Sequence, residues 1–439
     1  MNLPKDHELP AIIREIVANA PTSRKVPAFI ASLSPLSALC SRVRLHYYYD
    51  SRPSALLLQV LIEGAQSSGK SFAADIESLI MDKTLKARDQ SMRRQEQEYR
   101  ELKKRRRANE KVGEEPQTTI RVVPATISKT VLTKRADMFQ RVHHDTLTFW
   151  MFAEELAQVT DAGKQGYSNL RTIMRTAYDL GSLFGIDFAS DNSYSAIVDI
   201  NICSMFCATP SAVDDYYDKK AIEGGNVTRC LLCPLSEDLG EEGAIFLPYS
   251  TEQQRRISNM LTRLMAQTYD ENGALQPVVH LDMTWLDQTV CRWIKQKGHQ
   301  AALSGNKSLD VFRKRSSVTA FRVAALCYYL YSIEGAYDEA KMQKLSRQIY
   351  LYMADFTLES MLNRWGKAFG ELNQKRDLSH AVESKPILFE QLTSPFTRDQ
   401  LNLKIEELGL TTPSRVFLSM WRKMKVIREI DKNTFEKTV

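Results

Sequence analysis

The stretch Gly64-Ala65-Gln66-Ser67-Ser68-Gly69-Lys70-Ser71 decides how this chain is read. It satisfies G-x-x-x-x-G-K-[ST] at every fixed position. Gly64 and Gly69 let a loop turn so that its backbone N–H groups, those of Ser67 and Ser68 among them, face phosphate oxygens. Lys70 brings a point charge to the β and γ phosphates. Ser71 offers an oxygen to Mg²⁺, and a helix starting there directs its positive end at the same anion. The pattern carries this meaning only between a strand and a helix. Leu56 to Ile62 is an apolar run that predicts a buried strand, and Phe72, Ile76, Leu79 and Ile80 recur at helical spacing after it.

Phosphate chemistry of this kind needs an acid on a neighbouring strand. Leu147 to Ala153 is apolar and Glu154-Glu155 follow it, at the edge where open α/β sheets place ligands. We assign Glu154 to the metal and Glu155 to the attacking water. The usual first acid here is Asp, so the two roles can exchange, and an exposed pair at a helix start is the plainer alternative. A further strand, Ser195 to Ala208, ends at Thr209-Pro210. Thr209 is placed either to sense the γ-phosphate or simply to start a turn. Gly224-Gly225-Asn226-Val227-Thr228-Arg229 leads into the strand Cys230 to Leu235. Arg229 reads as an arginine finger for a neighbouring subunit, or as one half of a surface ion pair.

The 439 residues are 43% hydrophobic and 26% charged, which excludes a wholly disordered or fibrous chain and predicts two or three domains. No apolar run reaches membrane-spanning length, the start does not read as a signal peptide, and seven cysteines do not read as a disulfide framework. A cytoplasmic protein with no membrane partner is expected. Cys203, Cys207, Cys230 and Cys233 have the spacing of a zinc site, but they sit in apolar strand sequence where buried thiols are common.

The net charge of +6 is concentrated, because Lys83 to Lys111 holds 12 basic and 5 acidic residues. This segment, about 82–112, is expected as a charged helix or helical pair projecting from the body. Lys103, Lys104 and Arg105 would track a nucleic-acid backbone, or the helix is simply solvated and internally paired. The expected organisation is an N-terminal helical segment (1–50), an α/β core (51–250), a helical lid region (251–376) and a C-terminal unit (386–439). Arg313, Arg315 and Arg322 in the lid are candidates for a second phosphate sensor or for ion pairs. In the C-terminal unit, Thr397 and Gln400 form a capping box, Thr412-Pro413 starts a second helix, and Val426 to Val439 reads as a hairpin. Helix, helix and hairpin predict a winged helix, with Arg415, Arg422 and Lys423 facing outward to DNA or to a protein.

GAQSSGKS, FAEEL, ATPSAV and EGGNVTRCLL follow one another at intervals that resemble a family of P-loop ATPases from bacterial mobile elements and phages. That family is often linked to primase domains. It is similar to the helicase-like ATPases of virulence-associated E proteins and to superfamily 3 helicases. The resemblance covers most of the chain. It implies an α/β P-loop NTPase core of AAA+-like type, ATP and Mg²⁺ as cofactors, and Lys70, Ser71, Glu155 and Arg229 as working positions. It also implies a homo-oligomeric ring, commonly a hexamer, acting on single-stranded or forked DNA, with any primase on a separate chain. Such helicases carry a basic residue on a hairpin before the sensor strand, whereas the turn from Asp187 to Ser195 has no Lys or Arg. The expected function is a DNA-dependent ATPase, a replicative helicase of a mobile element. The alternative is an ATP-driven switch or assembly factor that does not unwind.

Overall fold

The computed structural model describes residues 2–48, 50–105, 113–146, 148–164, 170–187, 194–236, 245–304, 306–383, 388–389, 391–408, 410, 412–423 and 426–438, without the side chains of 162–164, 372–383 and 423. The chain divides into two compact units, Met1–Trp365 and Gly366–Val439.

At the centre of the first unit lies a five-stranded sheet, parallel throughout. Its strands are β1 (Gln59–Glu63), β2 (Val122–Pro124), β3 (Thr148–Ala153), β4 (Asn201–Ala208) and β5 (Leu231–Pro234). The spatial order is β2-β3-β4-β1-β5. Parallel strands covered on both faces need continuous apolar sequence rather than alternation. Accordingly every residue of β1 and of β4 is buried. The register pairs Glu63 with Ala208 on one side and with Pro234 on the other, so β1, β4 and β5 end level.

The sheet differs from the sequence reading in three places. β2 was not anticipated. The run Leu56 to Ile62 pairs as a strand only from Gln59; side chains reach the preceding carbonyls, and Leu58 O also accepts Ser204 N of β4 at 3.1 Å. Ser37 donates to Leu56 O, Arg322 to Leu57 O and Ser34 to Leu58 O. The run from Ser195 is two strands with different partners. Ala196–Asp199 pairs antiparallel with Leu183–Ile186 in a separate hairpin, and only Asn201–Ala208 joins the central sheet. Residues 188–193 of the hairpin turn lie outside the described residues.

Helix Lys25–Leu39 packs against β4 and against helix Phe72–Met81. Residues 27 to 39 of it are all buried, so it has no polar stripe. Val43–His46 joins Pro53–Ala55 to Val279–His280 in a small sheet, tying the first 50 residues to the helical region beyond 251. Helix Lys307–Glu334 is buried along most of its length, and Arg322 on it reaches Leu57 O and Tyr178 O.

The basic segment is a single helix, Leu85–Arg105, and 106–112 lie outside the described residues. Its first half is anchored rather than projecting. Asp89, fully buried, accepts the N–H groups of Arg121 and Val122 at 2.8 and 2.7 Å, and Glu96 pairs with Arg135 at 2.9 Å. Its last turn, Lys103 to Arg105, is exposed.

In the second unit, helices Arg398–Glu407 and Ser414–Lys423 precede the antiparallel strands Ile427–Glu429 and Thr434–Lys437. Phe396–Thr397 adds a third strand on the far side of Thr434–Lys437. The Thr397–Gln400 capping box is present. Trp421 centres the core, with Phe389, Phe396 and Phe417 around its ring, and Leu418 is buried alongside.

Candidate functional site

Three chain segments meet at the carboxyl edge of the sheet. The first is the glycine-rich loop after β1. Gly64 N donates to Ala208 O at 3.1 Å, which ties the start of the loop to the end of β4. A Cβ added to Gly64 would stand 2.4 Å from Ser68 Oγ and 3.1 Å from Leu235 Cδ1, so a larger residue would force these side chains to shift. Ser67 and Gly69 both adopt left-handed backbone, with φ of 64° and 70°. Among the described residues, the amides of Gly69, Lys70, Ser71 and Phe72 find no acceptor. They form the open N-terminus of helix Phe72–Met81, where such donors are normally left for a cap, water or an anion. Lys70 lies over the loop, its ammonium donating to Gly64 O at 2.9 Å and to Ala65 O.

The second segment is the end of β3. Glu154 and Glu155 are exposed. The third is the end of β4, where Thr209 caps helix Pro210–Tyr216 by accepting Ala212 N at 3.4 Å and lies 3.1 Å from Ser211 Oγ. These segments line one cleft of about 600 Å³, which holds Ser67, Ser68, Gly69, Lys70, Ser71, Glu154, Glu155 and Thr209. Cys207 sits on its floor. Burial pushes the Cys207 thiol up to about 12, with Lys70 drawing it down and Glu154 pushing it further.

Not all the candidate residues come together. Arg229 ends the short turn Val227–Arg229 that precedes β5, at the amino edge of the sheet. The length of β5, roughly 10 Å at strand rise, therefore separates it from the glycine-rich loop. It is half-buried, donates to Gly225 O at 3.2 Å and lies 3.8 Å from the Asp179 carboxylate. Burial, then the nearby Arg315, holds its pKa below the ordinary guanidinium value. Arg322 is buried in the same neighbourhood, 4.1 Å over the Tyr178 ring. Arg313 is paired with Asp310.

Of the candidate nucleic-acid residues, Lys103, Lys104 and Arg105 are exposed, and Arg105 pairs with Glu101 at 3.7 Å. In the second unit Arg415 is exposed, Arg422 pairs with Glu429 at 2.5 Å, and the Lys423 side chain lies outside the described residues. The four strand cysteines are buried thiols. Burial raises Cys203 to about 11 and Cys207, Cys230 and Cys233 to about 12, the behaviour of thiols packed in apolar strand sequence. Among the described residues no cluster of three or more metal-ligating side chains occurs.

Two arginines beside the loop were not anticipated. Arg24 is buried and donates to Ser68 O in the loop at 3.2 Å. Arg364 grips Glu63, the residue before Gly64, at 2.8 and 3.1 Å, and also reaches Pro210 O and Asp214 at 3.1 and 2.7 Å. Burial raises the pKa of the Glu63 carboxyl, and Arg364 opposes the shift. No protein-family model matches the chain, and no curated protein matches it.

Proposed function

We propose that this chain is a Mg²⁺-dependent ATPase with an AAA+-like P-loop core, working as a ring-forming motor on DNA, most specifically a replicative helicase of a mobile element. One observation carries the reading: free loop amides, Lys70, Ser71 and two carboxylates face a single cleft at the carboxyl edge of a parallel sheet. The loop fits a polyphosphate on its own geometry, since a Cβ at Gly64 would crowd it and its donors find no acceptor among the described residues. Ser71 and Glu154 would hold Mg²⁺, which supplies charge neutralisation at the β and γ phosphate oxygens. Lys70 leaves its carbonyl partners for those oxygens. Glu155 orients and polarises the water that attacks the γ-phosphate, and Thr209 faces the same phosphate from the β4 end.

A ring is supported by the position of Arg229. At the amino edge of the sheet it is out of reach of its own loop, so it can serve as a finger only for a neighbouring subunit. Contact with DNA is supported by the exposed tip Lys103–Arg105 and by the two helices and hairpin of the second unit, which we read as a winged helix presenting Arg415.

A second reading, an ATP-driven switch without strand separation, is favoured by two facts. The turn from Asp187 to Ser195 carries no Lys or Arg, and Arg422 is already engaged by Glu429. ATP turnover measured with and without single-stranded DNA separates the two readings. DNA stimulation that disappears in Lys70→Ala supports the motor, and DNA-indifferent turnover supports the switch. Unchanged turnover in Lys70→Ala would remove the site assignment.

A further inference from the structure

Arg24 is buried, with 5% of its surface exposed. Its guanidinium donates to two main-chain carbonyls, Ser68 O and Ser236 O, each at 3.2 Å. Nε is buried with no partner, and no carboxylate pairs with Arg24 among the described residues. A guanidinium does not shed its proton, and a buried charge without a counter-charge costs several kcal/mol. Two carbonyl dipoles offset only part of that cost. Among the described residues, the positive charge behind the glycine-rich loop therefore has no counter-charge.

The contact also fixes a direction. In a trans peptide the C=O and the following N–H point opposite ways. Holding Ser68 O towards Arg24 turns the Gly69 N–H to the other side, where Gly69 lines the cleft and its amide has no acceptor among the described residues. The residues flanking this peptide bond need the help. Ser67 and Gly69 are both left-handed, a conformation that Ser67, unlike glycine, adopts against steric resistance. A Ser68–Gly69 flip would aim a carbonyl oxygen at the anion site and withdraw a donor from it.

We infer that Arg24 is a positioning residue of the phosphate loop: it locks the Ser68–Gly69 peptide with the amide towards the cleft and supplies a buried positive charge that a bound polyphosphate neutralises. The inference rests on the nucleotide-site reading above and adds a residue that lies outside the loop motif. Its ligand is the phosphate chain, not the base or the sugar.

The test compares wild type, Lys70→Ala, Arg24→Gln and Arg24→Lys, titrated calorimetrically with Mg·ATP and with inorganic tripolyphosphate. Each variant is also melted without ligand. Losing a hydrogen-bonded charge corresponds to about tenfold or more in affinity. Arg24→Gln should weaken both ligands by the same factor of about that size while melting close to wild type. Arg24→Lys keeps the charge but cannot span both carbonyls, so it should fall between the two. A residue that only supports the fold would lower the melting temperature and leave the affinity of the folded protein unchanged. Wild-type tripolyphosphate affinity in a folded Arg24→Gln protein overturns the inference. If that variant loses its melting transition, wild-type affinity in folded Arg24→Lys overturns it instead. Wild type that binds neither ligand removes the site reading itself. Binding that is lost in Lys70→Ala but kept in Arg24→Gln removes only the role of Arg24.

Discussion

The two edges of the central sheet use similar side chains to opposite ends. At the carboxyl edge Glu154 and Glu155 are exposed, and the loop amides have no acceptors among the described residues. At the amino edge most polar side chains engage one another, although Arg322 Nε and Arg229 Nε find no partner among the described residues. Arg322 donates to Leu57 O, Tyr178 O, Ser54 Oγ and Asp179, and it stacks on Tyr178. Backbone donors left open at one edge and a guanidinium engaged by four acceptors at the other are the contrast between a surface able to take a ligand and one that holds the fold. Arg229 sits between these cases. It stands among the structural arginines, yet one long contact to Asp179 and one to Gly225 O leave part of its fork uncommitted.

The sharpest way to break this contrast is Arg229→Ala. If Arg229 completes a neighbour's site, turnover should fall about 10³-fold while ATP affinity stays near wild type, read by steady-state kinetics beside equilibrium titration. Lost stability with intact turnover per folded molecule would move Arg229 into the structural group. Next is Arg322→Ala, which strands the Leu57 and Tyr178 carbonyls and should cost about 3 kcal/mol of stability in denaturant unfolding. A near-neutral result would show that the amino edge is less committed than its hydrogen bonds imply. The smallest effect is Glu155→Gln, which keeps the shape but removes the base. Single-turnover hydrolysis should slow about 10²-fold with binding retained. If Glu154→Gln gives that phenotype instead, the two acids exchange roles.

How much of this was legible depends on how local each signal is. The loop, its strand and its helix are contiguous, so spacing alone located them. The Thr397–Gln400 cap was readable for the same reason. Helix Lys25–Leu39 had no amphipathic period to read because it is buried all round. Val122–Pro124 is a three-residue edge strand ending in proline, too short to carry a pattern. Ala196–Asp199 reads as one strand with Asn201–Ala208 because short apolar runs look alike whether they join a large sheet or a hairpin. Arg24 and Arg364 were invisible for another reason. They reach the loop region across sequence separations of 44 and 301 residues, and no local pattern encodes such a meeting.

The grip of Arg364 on Glu63 also has a consequence in time. A ribosome making about 5–20 residues per second completes the glycine-rich loop long before it reaches the arginine that braces the strand below it. Over the 301 intervening residues that lag is on the order of 15–60 s. During that interval Glu63 has no Arg364 to pair with. The Val43–His46 strand likewise waits for Val279–His280. A nascent chain that already contains the glycine-rich loop and Glu154-Glu155 therefore still lacks the brace beneath the loop, and an expression fragment ending near residue 250 would stay in that unfinished state.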